Sequence, residues 1–405
     1  MQMSKGLRSE GWDITLLRCR HPEDAHLLPI IQSFPGRVVT APFFGRFSGL
    51  LNRKGLRRVL RLCWQISGDP EQKDYPELTA ARFVKFAKAS PIPKPNLVLA
   101  ITAGQLEGFA SGLELSHMYE CPLILEFRDP VPHPGHAPLR PSHHELLKTC
   151  LSESHLVITT THGIRRALET GVPCTKGKVK TIYSCYDDEV APASGQPLKD
   201  DRLTLVHAGV LYGGEGRNAR SLVKAIATAV RIEPKVHGRI LLRLIGAGKG
   251  GEEAMDLANA LDIPWAVELV AQMSHSSCMA QMDRAHVLVV IKFDNPEFDL
   301  QIPGKTFQYL GRGKPILGIM RETEAAEILR RSRIGTVLDH SNVDGISATL
   351  LDFWKNRTAL HSVFKPDWDY IRQFSLSEMR NSFDREFAAV VSQRTESRRA
   401  VLSRR

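Results

Sequence analysis

The densest chemistry in the chain lies in Gln301-Ile302-Pro303-Gly304-Lys305-Thr306-Phe307-Gln308-Tyr309-Leu310-Gly311-Arg312-Gly313-Lys314-Pro315-Ile316-Leu317. Pro303 and Gly304 stand where a helix would start, and the free N–H groups of a helix start can hold a phosphate. Lys305 adds a point charge at the same end. Gln308, one turn later, sits where a side chain reaches a ribose, while Phe307, Tyr309 and Leu310 suit packing of the helix onto a sheet. A second run, Ala208-Gly209-Val210-Leu211-Tyr212-Gly213-Gly214-Glu215-Gly216-Arg217-Asn218, joins a strand-like stretch to a helical one. Its glycines let backbone N–H groups approach an anion, and Arg217 could pair with a diphosphate through two parallel hydrogen bonds. A mobile surface loop ending in a helix cap has the same spacing, so spacing alone does not choose. A third run, Gly246-Ala247-Gly248-Lys249-Gly250-Gly251, departs from the dinucleotide fingerprint, and no strand with a ribose-binding acid follows at the usual place. It reads better as a turn near a nucleotide base than as an NAD site.

Two further stretches carry candidate chemistry. The loop after Asp129 holds His133, His136, His143 and His144 among Pro130, Pro132, Pro134, Pro138 and Pro141. His133 and His136 are close, but no third ligand is convincingly spaced, so no metal is expected. An acceptor-side loop in which one histidine contacts substrate or takes a proton competes with an ordinary solvated loop. Residues 41–66 hold Arg46, Arg53, Lys54, Arg57, Arg58 and Arg61 and no acid, with Leu56, Val59, Leu60, Cys63 and Trp64 on one helical face. Such a helix could lie on an anionic membrane surface or simply pack on a sheet. The tail 394–405 carries five arginines against Glu396 and reads as a disordered end.

Strand-like and helix-like stretches alternate through most of the chain, the pattern of parallel α/β layers. Strands are expected at 13–17, 37–39, 97–101, 122–127 and 156–160, with helices at 77–89 and 143–151. The Pro- and Gly-containing stretch 191–201 reads as a linker, after which the rhythm restarts. Strands are then expected at 203–208, 239–245, 266–270, 287–291, 316–319 and 335–338, and helices at 217–231, 252–261, 274–285, 304–311 and 325–331. The predicted division is a Rossmann-like domain over 1–190, the linker, a second such domain over 202–360, and a helical segment with a basic tail over 361–405. Residues 5–11 read as the end of a first helix, so the strand expected before it is missing.

The whole composition fits this division. The 405 residues are 42% hydrophobic and 24% charged, which excludes wholesale disorder and a polytopic membrane protein. No apolar stretch approaches the roughly 20 residues of a spanning helix, and the N-terminus reads as lacking a signal peptide. Seven scattered cysteines without a C-x-x-C pair suit reduced thiols in the cytoplasm. The net charge of +10 is spread evenly along the chain, unlike a nucleic-acid-binding tail, yet favours anionic partners.

The order H-A-G-x-L-Y…R-N, then L-I-G-x-G, then I-P-G-K-x-F-x-Y-L-x-x-G-K-P-I-L resembles the donor-binding domain of family 4-type glycosyltransferases of the GT-B fold. The upstream pieces Glu126-Phe127-Arg128-Asp129-Pro130, the stretch from Val157 to Ile164, and Lys180 to Asp187 agree with it. The resemblance runs from about Lys5 to Leu350. It implies two doubly wound Rossmann-like domains facing a cleft, and metal-independent, retaining transfer of a sugar from a nucleotide donor, most simply a UDP-sugar. The acceptor would be a polysaccharide or lipid-linked glycan, and no cofactor is implied; the charge of residues 41–66 adds the expectation of a cytoplasmic protein peripheral at the inner face of the plasma membrane. Arg217 and Lys305 would face the diphosphate, and Gly209 the donor's path. Gly246, Gly248 and Gly304 would shape the nucleotide site, while Asp129 and His133 would act on the acceptor side. Most members carry Glu where Gln308 stands; those with a paired-glutamate signature carry an acid where Leu300 stands, and Asn-Gly is usual where Ser184-Cys185 stand. Those departures leave open a degraded, nucleotide- or partner-binding relative, and a GT-B nucleotide-sugar epimerase is a further alternative.

Overall fold

A computed structural model describes residues 7, 10–19, 34, 36–41, 76–90, 92–189 and 201–402. The chain divides into two compact units, Met1–Tyr183 with Met379–Arg405, and Ser184–Glu378. Each is an α/β unit on parallel strands.

In the first unit β1 (Thr15–Cys19) pairs with β2 (Arg37–Ala41). A separate sheet runs β3 (Val98–Thr102), β4 (Leu123–Phe127), β5 (Leu156–Thr159) and β6 (Val179–Thr181), in that order. Every residue of β4 is buried, as expected for a parallel strand covered on both faces. Helices α1 (Pro76–Ala89), α2 (Glu107–Tyr119), α3 (Pro141–Glu153) and α4 (His162–Gly171) join or cover the strands. The Thr161 hydroxyl caps α4 by accepting from Ile164 N at 3.1 Å. Most of the basic stretch expected to meet a membrane, 42–66, lies outside the described residues. So do linker residues 191–200 and residues 1–6.

The second unit holds β7 (Leu203–Ala208), β8 (Ile240–Ile245), β9 (Val267–Val270), β10 (Val287–Ile291), β11 (Ile316–Ile319) and β12 (Gly335–Leu338). Their order is β12-β11-β10-β7-β8-β9, the doubly wound order in which the winding reverses between β7 and β10. Ligands bind at the carboxyl ends of strands at such a reversal. The helices are α5 (Arg220–Ile232), α6 (Lys249–Ala260), α7 (His275–Arg284), α8 (Gly304–Leu310), α9 (Glu324–Arg331) and α10 (Val343–Lys355). Leu205, Leu242, Val289 and Leu317 of the sheet, with Leu222 and Ile226 of α5 and Leu350 of α10, are fully buried in one core. The basic residues after α8 are structural. Lys314 Nζ donates to Ala285 O at the end of α7 (3.0 Å), and Arg312 pairs with Asp283 at 3.4 Å.

Among the element boundaries that differ from expectation, those of α5 and of the C-terminal helix matter most. Helix α5 starts at Arg220, which leaves Arg217 in the loop. Asn218 Nδ2 donates to Gly214 O and Gly216 O (3.2 and 3.0 Å), and its Oδ1 accepts from Arg220 N, so Asn218 ties the loop and opens the helix. The tail expected as a disordered end is helical to Leu402, in α11 (Leu376–Leu402). Glu, Arg, Ala and Leu are good helix formers, and neither Gly nor Pro interrupts them. Phe383, Phe387 and Val390 of α11 pack with Leu7, Ile124, Leu156 and Ile158 in the first unit's core. The Trp12 indole donates to Asp384 at 2.7 Å.

Candidate functional site

At the carboxyl end of β7, the backbone is fastened from both sides. Ala208 N donates to the hydroxyl of the fully buried Tyr309 on α8 (3.0 Å), and Gly209 N donates to Ile245 O on β8 (2.8 Å). Tyr309, expected only to pack α8 on the sheet, thus also ends the strand. Gly209 has φ +117°, and a Cβ there would stand 2.7 Å from Lys305 Nζ, so only glycine leaves room for the lysine. Lys305 Nζ in turn lies 3.2 Å from Nε2 of the fully buried His207. His207 Nδ1 is 3.0 Å from Val289 O on β10. A carbonyl only accepts, so neutral His207 carries its proton on Nδ1 and turns the Nε2 lone pair to Lys305.

Arg217 comes to the same place from the glycine loop. Its guanidinium lies 5.1 Å from the Phe293 ring and 5.7 Å from the Tyr212 ring. These rings stack at 5.6 Å, and Phe293 stacks on Phe298 at 4.0 Å. The buried Arg217 Nε has no hydrogen-bond partner. Among the described residues, no carboxylate pairs with Arg217 or Lys305. Burial, then the Arg217 charge, pushes Lys305 down to about 7, with the Cys278 thiol opposing. Burial also lowers Arg217, and burial followed by the Lys305 charge keeps His207 well below its usual range. Half-buried cations without a carboxylate partner among the described residues, one with a buried orphan donor, favour an incoming anion.

Lys292 and Glu253 support this arrangement, and the motif reading missed both. Lys292, 3% exposed just after β10, donates to Gln301 O at 2.8 Å and so fixes the approach to α8. Burial pushes it down to about 8, against the Asp299 charge. Glu253 on α6 accepts from Gly214 N through both oxygens (2.8 and 3.1 Å) and lies 3.5 Å from Arg220. The loop that spacing left open between a mobile surface loop and an anion cradle is therefore fastened to α6. Gly250 adds to this, since a Cβ there would meet Leu211 Cβ at 2.5 Å. No sequence periodicity signals Lys292 or Glu253. Lys292 could have been noticed as a cation directly after an all-apolar strand.

The remaining donor-side positions are arranged less tightly. Gly246 ends β8, its N donating to Val270 O at 2.9 Å, and Gly248 is the N-cap of α6. Gly304 is exposed at the start of the seven-residue α8, after Pro303 as N-cap. Gln308 is exposed on α8.

In the first unit, Asp129 and His133 are half-buried in the loop after β4. His133 N donates to Gly104 O (3.2 Å), and His136 N donates to His133 O (3.0 Å), which brings the two rings to 5.1 Å. His143 is buried in α3 rather than in the loop, and His144 is exposed. Among the described residues, no three His, Cys, Asp or Glu side chains group to hold a metal ion. Glu126 on β4, 3% exposed, has Oε1 3.1 Å from Arg128 Nε and a buried Oε2 without a partner. Burial raises its carboxyl, with Arg128 opposing. The structure thus gathers Gly209, Arg217 and Lys305 in one unit and the Asp129–His136 loop in the other.

Among the described residues, no helix is long and apolar enough to cross a membrane. No family model and no curated protein matches the sequence. Solved structures do match. A sucrose-phosphate synthase from Thermosynechococcus elongatus is similar with TM-score 0.63 at 13% identity, over 97% of this chain and 92% of that one. HepE of Anabaena in complex with UDP gives 0.62 at 13% identity, over 93% and 99%. A glycosyltransferase from Rickettsia africae gives 0.61 at 11%, over 94% and 99%. At such identities the likeness concerns the fold, which is the GT-B type with two Rossmann-like units.

Proposed function

We propose that the chain is a glycosyltransferase that moves a sugar from a nucleotide-sugar donor, a UDP-sugar, to a polysaccharide or lipid-linked acceptor. The observation that carries this reading is the meeting of Arg217 and Lys305, neither paired with a carboxylate among the described residues, at the carboxyl ends of β7 and β10. Among the fold's solved examples, HepE holds UDP. In the transfer, negative charge grows on the leaving diphosphate as the sugar–oxygen bond breaks. Arg217 would take two of its oxygens on the guanidinium fork and Lys305 a third, so the protein supplies the stabilisation without a metal. Gly209 keeps the lysine's approach open. Gly246 and Gly248 would border the base, Gly304 the phosphate, and Gln308 the ribose. Asp129 and His133 would serve the acceptor side, His133 receiving the proton of the attacking hydroxyl. Retention of configuration, a cytoplasmic location and contact of 41–66 with an anionic membrane belong to the same proposal.

Titration calorimetry of UDP, GDP, ADP and TDP without added metal tests it, on the wild type and on Lys305→Ala. Micromolar binding of one nucleotide, lost in the variant, is expected. Absence of binding by all four would overturn the proposal. One observation favours a second reading, a nucleotide-binding protein without transfer activity. Gln308 is exposed on α8 at the position where the resemblance calls for a carboxylate.

A further inference from the structure

Lys305 and His207 are 98 residues apart in sequence and 3.2 Å apart in space, and the way His207 is held defines what passes between them. His207 is 0% exposed and its ring is locked by the contact of Nδ1 with Val289 O at 3.0 Å. Its Nε2 lone pair therefore faces the Lys305 amine. We propose that His207 is a positioning residue that holds Lys305 on this lone pair, so that entry of a diphosphate is coupled to uptake of one proton at Lys305 Nζ. The inference rests on the nucleotide-donor reading and deepens it.

The groups facing the pair are few. His207 comes from β7, Arg217 from the glycine loop and Cys278 from α7, with the Val289 carbonyl of β10 and the Gly209 backbone beside the imidazole. Among the described residues none is a carboxylate, so before the donor enters none of them compensates a charge on Lys305. Burial and Arg217 bring the lysine down to about 7, while burial and Lys305 keep His207 neutral, so the proton has one destination. As the diphosphate enters, the Nζ lone pair forms an N–H bond with a proton from solvent, whose buffer is left deprotonated. The ammonium then gives one N–H to His207 Nε2 and has two for phosphate oxygens. Without His207 the ammonium would lose an acceptor at its base, and its protonation would require lower pH.

The probe is UDP-glucose, because a terminal phosphate titrates near about 6 whereas a diphosphate esterified at both ends does not titrate near neutrality. Calorimetry in buffers of unlike ionisation enthalpy counts the protons. Wild type is expected to take up about half a proton at pH 7 and to approach one at pH 8, with affinity falling about tenfold per pH unit above that. His207→Leu should move the affinity–pH profile down by about one unit. It would then bind about fivefold more weakly at pH 7 and about tenfold more weakly above pH 8, and the gap would narrow at pH 5.5. His207→Gln, which restores an acceptor, should return the profile toward wild type, which a merely structural role would not do. UDP-glucose binding without proton exchange, or an unmoved profile in His207→Leu, would overturn the proposal. If UDP-glucose does not bind at all, the donor reading falls and the coupling with it. Competitive acetylation of Lys305, read by mass spectrometry against pH, then judges the pair without any nucleotide. A midpoint near 7 that drops in His207→Leu supports the positioning role, and a midpoint near that of a free lysine removes it.

Discussion

Gly209 and Lys305 lie against each other: a Cβ on the glycine would stand 2.7 Å from the lysine nitrogen, and the glycine's φ of +117° is one that residues with a side chain rarely adopt. The strand end and the cation are therefore mutually dependent. Gly209→Ala must both strain the backbone, at about 1–3 kcal/mol, and displace Nζ from His207. Nucleotide affinity should drop at least about tenfold, together with a lower urea midpoint. A variant that binds as wild type would show that Lys305 does not need its observed place.

Lys305 is costly to the unliganded protein. Its pKa is depressed on folding to about 7, so between about 7 and the ordinary lysine value the unfolded chain holds a proton that the folded one lacks. Stability from this group therefore rises with pH through that window. Lys305→Met should stabilise the empty protein at pH 7 by about 0.5–2 kcal/mol and abolish nucleotide binding. The stability gap between variant and wild type should shrink toward pH 10. Urea denaturation at pH 7 and pH 10 measures it, and a gap that widens would contradict the assignment.

Tyr309→Phe isolates the fastening of the strand end. It leaves the half-buried Ala208 N without its 3.0 Å acceptor, which costs about 1 kcal/mol. Denaturation should report this loss. Nucleotide affinity should also fall, because Gly209 follows directly.

Gln308→Glu separates the two functional readings. If the protein transfers sugar and the amide only weakens its hold on ribose, the carboxylate should raise the transfer rate and donor affinity by about tenfold, the worth of a charge-assisted hydrogen bond over a neutral one. Transfer assayed with radiolabelled donor decides. No transfer by either form, with nucleotide still bound, would favour the binding protein.

Much of the second unit is legible in the amino-acid order. The strand-like runs at 203–208 and 287–291 coincide with β7 and β10, because strands buried on both faces must be apolar nearly throughout. The glycine runs mark the turns after β7 and β8, and Gly304 with Lys305 marks the start of α8. Arg217 stands out by residue type, yet helical periodicity places it at a helix start rather than in the loop. The side-chain bonds of Asn218 that delay α5 leave no trace in that periodicity. His207 opens the H-A-G run but nothing near it in the chain points to Lys305, and Glu253 reads as one acid among several on an amphipathic helix.

The sequence by itself determined which residues face a core and where the chain turns, since both follow from local periodicity and backbone freedom. Only the tertiary structure decided that β7 lies beside β10, with Leu205 opposite Val287 and Val206 opposite Leu288. That pairing puts Val289 O behind His207, His207 against Lys305, and Tyr309 under Ala208, a contact spanning 101 residues. Long-range pairing depends on the summed burial of both faces of the sheet, a quantity that no window of neighbouring residues contains. The protonation of Lys305 is decided at the same level, because it depends on burial and on Arg217 from a distant loop.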